Sequence, residues 1–269
     1  MKYFSNYLYT SLLLLFFIYV SSSSIITAQN KYDIKQFWNE SGTIATNPLN
    51  WQTCDWLTLA GVAGLTYGTM FIDKQIKLEL QKNQKYQYSL PMKFGKYWGE
   101  PIITLALAGG FYGYGILSDN ISSKKLGYEI GQSAFWAGVV TTFFKYGFGR
   151  ERPRHSDDPF SFHPFSFRND NFLALNSGHT AMAFSLSTVL AANTKNVYLK
   201  VAAFIPAVLT AASRVYQEQH WTSDVLLGAV VGYAVGSFVT NLHLNIQVNT
   251  ATINSGYKQT NLFLIRIPI

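Results

Sequence analysis

Long apolar runs alternate with short polar joints along this chain. After a polar lead-in at 29–51, which carries the turn signal Asn47-Pro48, residues 52–72 form an apolar run rich in Gly and Ala. An uncharged run follows at 101–118, containing Gly109-Gly110, and a third at 127–145 ends on Lys145. Each run is long and unbroken enough to predict a helix. Between them, 73–98 is rich in Lys, Tyr and Gln and predicts a solvated helix or connection ending in Trp98-Gly99-Glu100-Pro101. Residues 119–126, with Lys124-Lys125, read as a polar link, and 154–175, aromatic-rich and without a period, as a loop. Further helices are predicted at 178–193, 198–213 and 223–241. Beyond them Leu244, Ile246 and Val248 alternate, as do positions in 263–267, which predicts two short strands joined near Ser255-Gly256. The predicted fold is all-α: a bundle of about six core helices with a short β-hairpin at the C-terminus.

Composition changes this picture in one respect. The chain of 269 residues is 48% hydrophobic and only 13% charged, about half the roughly 25% usual for soluble domains. Either the core is large or part of the chain meets lipid, although the mean hydropathy is only +0.08. The net charge is +7, and basic residues gather in two segments, one holding Lys74, Lys77, Lys82, Lys85, Lys93 and Lys96, the other Arg150, Arg152, Arg154 and Arg168. Such a protein favours nucleic acid, anionic lipid or phosphate esters; no nucleic-acid fold signature is present, so nucleic acid is not an expected partner. Cys54 is the only cysteine, which excludes an intrachain disulfide, and it reads as a buried small apolar residue. Met1-Lys2, the apolar run 12–20, the serines of 21–24 and Thr27-Ala28-Gln29 read as a secretory signal over 1–28, cut after Ala28. The alternative is an N-terminal anchor. A helical domain at 29–243 and a tail at 244–269 would follow.

Candidate chemistry concentrates at helix ends. The stretch from Ser213 to Asp224 lies between two apolar runs and reads as the joint between two helices. His220 and Asp224 are four apart; if the second helix begins near Thr222, they stack one turn apart on one face. The carboxylate can then hold one ring nitrogen and leave the other to attack an electrophile. Arg214, ending the preceding helix, can fork onto an anion. Lys145 also ends a predicted helix and His179 starts one. In an up-and-down bundle all four points fall at one end, where helix N-termini and cations suit a tetrahedral oxyanion.

Three blocks carry a resemblance. Lys145 is followed after six residues by Arg152-Pro153; Asn176-Ser177-Gly178-His179 comes next; Ser213-Arg214, His220 and Asp224 close the set. They resemble the K-x6-R-P, P-S-G-H and S-R-x5-H-x3-D pattern of the type 2 phosphatidic acid phosphatase family, which shares its site with bacterial class A acid phosphatases and vanadium haloperoxidases. The one departure is Asn176 where that family has Pro. The resemblance implies that His220 is the nucleophile and forms a phosphohistidine, and that Asp224 orients it. It implies that His179 protonates the leaving oxygen and then activates water. Lys145, Arg152 and Arg214 would bind the phosphoryl oxygens, with Ser177 and the Gly178 N–H completing the cradle. The implied activity is hydrolysis of phosphate monoesters, with a lipid phosphate or lipid pyrophosphate favoured. No acidic or histidine cluster has metal-ligand spacing, so neither metal nor cofactor is expected, and vanadate should inhibit. The alternatives are a vanadium-dependent haloperoxidase, with vanadate as cofactor, and a non-catalytic membrane or lipid-binding bundle.

Outside the fixed positions of the pattern, Arg150, Arg154, His155 and His163 lie near the site in sequence, Tyr216 and Trp221 read as braces, and His243 as a surface residue. Small residues in the helices suit packing in lipid and in a soluble bundle alike. The expected place is the cell envelope, with the site outside the cytoplasm, in an integral membrane or a periplasmic protein. One count opposes the integral form: three crossings after an exported residue 29 would put Lys145 on the cytoplasmic side.

Overall fold

The computed structural model describes residues 30–166 and 169–251. Two compact units divide the chain between Trp56 and Leu57. In the first, helix α1 (Ile34–Thr46) is capped by Asp33, which accepts from the Gln36 N–H at 2.8 Å, while the Gln36 side chain accepts in return from the Tyr32 N–H at 2.7 Å. These reciprocal bonds satisfy N–H groups at the start of α1 and before it.

The second unit is helical throughout. It holds most of α2 (Thr53–Gln81), then α3 (Leu90–Trp98), α4 (Pro101–Leu117) and α5 (Ile121–Phe148). After the site loop come α6 (Gly178–Ala192), α7 (Val197–Ala202), α8 (Ile205–Tyr216) and α9 (Thr222–Ala251). Among the described residues one isolated antiparallel bridge, Arg150 with Phe162, interrupts this all-α pattern.

Four boundaries differ from expectation, each for a local reason. Helix α2 runs on to Gln81 instead of stopping at 72, because Asp73 and Lys77 are buried and partnered inside the fold, not solvated. Helix α5 starts at Ile121, since Asn120 caps it by accepting from the Ser123 N–H at 2.9 Å. The helix expected at 198–213 is broken into α7 and α8, with Pro206 in the first turn of the second piece. Positions 244–248, read as a strand, belong to the last turns of α9; a three-point alternation is too short to distinguish the two periods. The second arm of that hairpin and the segment 1–28 lie outside the described residues.

Close approach of α6 and α9 sets the site. Gly228, Gly232 and Gly236 recur one turn apart on α9 and face α6; a Cβ at Gly232 would lie 2.2 Å from the Ala181 carbonyl oxygen. The core beneath the site joins Met70 of α2, Leu175, Ala181 of α6, and Leu227 and Val231 of α9. His243 sits on the α9 face that Gly236 and Val239 also occupy. It is therefore buried, contrary to its reading as a surface residue, with Nδ1 2.8 Å from the Glu129 carboxylate. Cys54, expected inside, is exposed.

The outside of the second unit is apolar in places where a soluble protein would be polar. Leu57, Leu65 and Phe71 of α2, Ile102, Leu105 and Leu117 of α4, and Ile205 and Val208 of α8 are each more than half exposed. Val197–Tyr216 and Thr222–His243, 20 and 22 residues long, are apolar and long enough to cross a bilayer.

Candidate active site

Gly149 ends α5 in the left-handed region, at φ 59°, and a Cβ there would lie 1.7 Å from the His163 carbonyl oxygen. Only glycine fits this turn. It sends the chain from Lys145 on α5 into a loop whose first residue, Arg150, is completely buried. Arg150 donates from Nη1 to Asp224 Oδ1 at 2.5 Å and to Ser223 Oγ at 2.7 Å, from Nη2 to Asp73 Oδ2 at 2.9 Å, and from Nε to the Pro159 carbonyl at 2.9 Å. Its guanidinium lies 5.6 Å from the centre of the Trp221 ring and 5.7 Å from that of Phe162. Asp73 completes the cluster, accepting from the Ser223 N–H at 3.0 Å and from the Ser223 hydroxyl. One turn further along α2, Lys77 Nζ donates to the Pro153 carbonyl and to Asp157, both at 2.6 Å. Two inward charges on α2 therefore hold the whole 150–157 loop.

That loop and the α8–α9 joint position His220, the nucleophile that the resemblance implies. His220 is buried, and its Nδ1 lies 2.8 Å from the Ala174 carbonyl oxygen. A carbonyl only accepts, so Nδ1 carries the hydrogen and the lone pair is left on Nε2. The spacing predicted that Asp224 would hold this ring. In the structure Asp224 Oδ2 lies 3.9 Å from Nδ1, beyond hydrogen-bonding reach, and accepts instead from the Trp221 N–H at 2.8 Å. The Asp224 backbone carbonyl accepts from the Ser177 N–H at 3.0 Å. Asp224 thus ties the His220 loop to the Ser177 loop and supplies negative charge near the ring without gripping it. Burial first, then the charges of Lys145 and Arg152, hold the His220 imidazole well below its ordinary range, against the pull of the Ala174 carbonyl.

The remaining predicted residues converge on the same pole. Ser177 caps α6, accepting from the Thr180 N–H at 3.4 Å and the Thr180 hydroxyl at 2.8 Å, which leaves its own O–H to donate elsewhere. Gly178 and His179 open α6, where helical N–H groups lack acceptors. A Cβ on Gly178 would lie 3.8 Å from Lys145 Nζ, so glycine keeps open the space between that ammonium and the helix start. Arg214, in the last turn of α8, spends one nitrogen on Gln217, and its Nε is buried with no partner among the described residues. Arg152 is held by Asp170, at 2.9 Å, and by the carbonyl and side chain of Gln219. His179 Nε2 lies 3.3 Å from the Glu100 carboxylate, at the start of α4. Burial and then Arg214 lower His179 to about 4, with Glu100 opposing. Asn176, where the resemblance expects Pro, is fully buried, and its amide has no hydrogen-bond partner among the described residues. No group of three or more His, Cys, Asp or Glu side chains among the described residues is placed to hold a metal ion.

Arg150, Asp73, Lys77 and Glu100 were not assigned by sequence. A faint signal existed for two of them: Asp73 and Lys77 are four apart and share a helix face if α2 continues past 72. Arg150 stood inside the first block but outside its fixed positions, and nothing pointed from Glu100 to His179. The site so assembled is a cationic pocket at the ends of six helices, with one neutral, oriented imidazole and a second imidazole backed by a carboxylate. It can bind a tetrahedral anion and present a nitrogen nucleophile to it.

Residues 128–247 match the family model described as the PAP2 superfamily. A lipid A 1-phosphatase of Porphyromonas gingivalis is 32% identical over 135 residues, which is 45% of this chain and 27% of that protein. A lipid A 4'-phosphatase of the same organism is 29% identical over 108 residues, 39% of this chain and 45% of that protein. The chain thus spans less than half the length of either relative. The crystal structure of Aquifex aeolicus LpxE aligns with a TM-score of 0.42 and 21% identity, over 56% of this chain and 83% of that one. The span matched by the PAP2 superfamily model contains all three motif blocks and both histidines of the site.

Proposed function

We propose that this protein is a membrane phosphatase that removes the phosphate of a lipid phosphomonoester through a phosphohistidine on His220, without a metal. The observation that carries this reading is the contact of His220 Nδ1 with the Ala174 carbonyl, which calls for a hydrogen on Nδ1 and leaves the lone pair on Nε2. In the proposed first step Nε2 attacks phosphorus as the bond to the leaving oxygen breaks, and that oxygen takes a proton from the His179 imidazolium. In the second, neutral His179 takes a proton from water, and the hydroxide displaces His220 from phosphorus. Lys145, Arg152 and Arg214, with the first N–H groups of α6, neutralise the phosphoryl oxygens in both steps, the role other enzymes give partly to metal ions.

A lipid substrate is supported by the exposed apolar faces of α2, α4 and α8 and by relatives whose names give lipid A as their substrate. We propose a phosphorylated glycolipid of that kind, in the cell envelope. Helices α2, α5 and α8 end at the site pole, and α4, α6 and α9 start there, so each traverses the unit once. If these traverses span the bilayer, an outward-facing site requires residue 57 to lie on the cytoplasmic side.

The test is phosphate release from lipid A, simple lipid phosphates, isoprenyl pyrophosphates and p-nitrophenyl phosphate. His220→Ala should abolish all turnover while the protein still folds, chelators should leave the rate unchanged, and vanadate should inhibit in about the micromolar range or below. His179→Ala with p-nitrophenyl phosphate should accumulate an acid-labile phosphoenzyme, because this leaving group needs little protonation. Retained turnover in His220→Ala would remove His220 as nucleophile.

A further inference from the structure

We propose that Glu100 is a positioning residue for the general acid: its carboxylate holds one N–H of the His179 imidazolium so that the other N–H meets the leaving oxygen. This rests on the assignment of His179 as the acid. Three features of the chain bring the two together. Glu100 occupies the N-cap position of α4, where Ser, Asp or Asn would usually cap, yet its side chain makes no cap hydrogen bond. It is instead turned to His179 Nε2, at 3.3 Å. Gly99 lets this happen: a Cβ there would lie 3.1 Å from the His179 Cβ and 2.4 Å from the Thr210 methyl, so any larger residue would push the start of α4 off the histidine. Pro101 follows in the first turn and fixes the direction in which the helix leaves.

The electrostatics give the contact a purpose. The charged groups facing His179 are Arg214 from α8, Lys145 from α5 and Glu100 from the start of α4. The His220 ring, across the pocket, is neutral in the tautomer its Ala174 bond sets. Without Glu100 the acid would stand among cations only, and its protonated form would depend entirely on the charge of bound substrate. The carboxylate offsets part of that repulsion, and the charge of bound phosphate supplies the rest. In the step itself the proton moves from imidazolium nitrogen to the bridging oxygen as that oxygen takes the electron pair of its broken bond to phosphorus. Glu100 keeps its charge throughout. The same carboxylate lies close enough to Arg214 to oppose anion binding, so it lowers affinity for phosphate while it assists departure.

Glu100→Gln should therefore separate quantities that a merely structural residue would move together. The assay compares p-nitrophenyl phosphate, whose leaving group needs little protonation, with a long-chain alkyl phosphate in the same detergent micelles. The expected result is a loss of about tenfold or more in the rate of phosphoenzyme formation from the alkyl ester, with a change of about twofold or less from the nitrophenyl ester. The pH optimum on the alkyl ester should move toward acid, and vanadate should inhibit as tightly as in the parent or more tightly. Equal losses on both esters, an unmoved optimum, or weaker vanadate inhibition would overturn the proposal. His179→Ala separates the two levels. If its rate of phosphoenzyme formation is insensitive to the leaving group, the acid assignment falls and Glu100's role falls with it. If it is sensitive and Glu100→Gln is not, only Glu100's role is overturned.

Discussion

Removing the buried guanidinium of Arg150 is the severest test of how this site is held. Arg150→Met keeps length and much of the volume but leaves Asp73 and Asp224 facing each other without their shared cation, and it strips Ser223 and the Pro159 carbonyl of a donor. Breaking a buried ion pair by deleting one partner costs about 3–5 kcal/mol, because an uncompensated charge stays behind. Here two carboxylates lose one partner, so the upper part of that range applies. The lost stacking on Trp221 and Phe162 is worth about 0.5–2 kcal/mol and is partly retained by the methionine thioether. For a chain of this size each kcal/mol lowers the melting temperature by roughly 2–4 °C, so the expected fall in detergent is about 8–20 °C. The cycle is completed with Asp73→Asn, alone and combined with Arg150→Met. Since the second change removes one of the stranded charges, the pair should be more stable than the sum of the singles by about 1.5 kcal/mol or more. A fall under about 3 °C, or strict additivity, would refute the claim that this cluster frames the pocket. Activity gives an independent reading. Asp224 joins the His220 loop to the Ser177 loop through backbone and side chain together, so a variant that still folds should lose kcat.

Three further outcomes follow from single features. Gly149→Ala must place a Cβ against the His163 carbonyl at positive φ, and should cost about 2 kcal/mol or more, read as lost melting temperature and lost yield in detergent. His220 and His179 both sit below the ordinary value of 6.5 in the folded protein, His179 at about 4. The unfolded chain therefore binds their protons first: stability is full above pH 6.5 and falls as pH drops from 6.5 toward the folded values, by up to about 1.4 kcal/mol per pH unit for each ring. His220→Ala should flatten that slope between pH 6.5 and 5 in melting experiments, and an unchanged slope would show that burial does not hold this ring neutral. Finally, Tyr216 donates to the Asn83 carbonyl, which puts the α2–α3 connection at the site pole, whereas Ser118 ends α4 at the other pole. In a Cys54→Ala background, Lys85→Cys and Ser118→Cys should react with membrane-impermeant thiol reagents from opposite sides of the membrane; labelling from one side would rule out α4 as a span.

What the sequence revealed and what it hid follow from one physical difference. Contacts made by backbone geometry are local, and they were legible. Lys145, His179 and Arg214 stand at helix ends because Gly149, Ser177 and Gln217 stop or start those helices, and caps are written within a few residues of where they act. Contacts made by buried charge are not local. Asp73 meets Ser223 across 150 positions and Lys77 meets Pro153 across 76, and neither partner carries a mark of the other in its own neighbourhood. For the same reason the polarity of 73–81 was misleading: a charge outside a helix and a charge paired inside a bundle look identical in one dimension. The His220–Asp224 pair shows the limit in its sharpest form. Spacing correctly placed the two side chains one turn apart, but the partner of the ring is the Ala174 carbonyl, 46 positions away, and every residue has a carbonyl. Sequence can thus state which side chains arrive at the pole. Which of them grips which is decided by a loop backbone held in place by Arg150, and that is why Arg150, outside the motif's fixed positions, is the residue on which the geometry of the others depends.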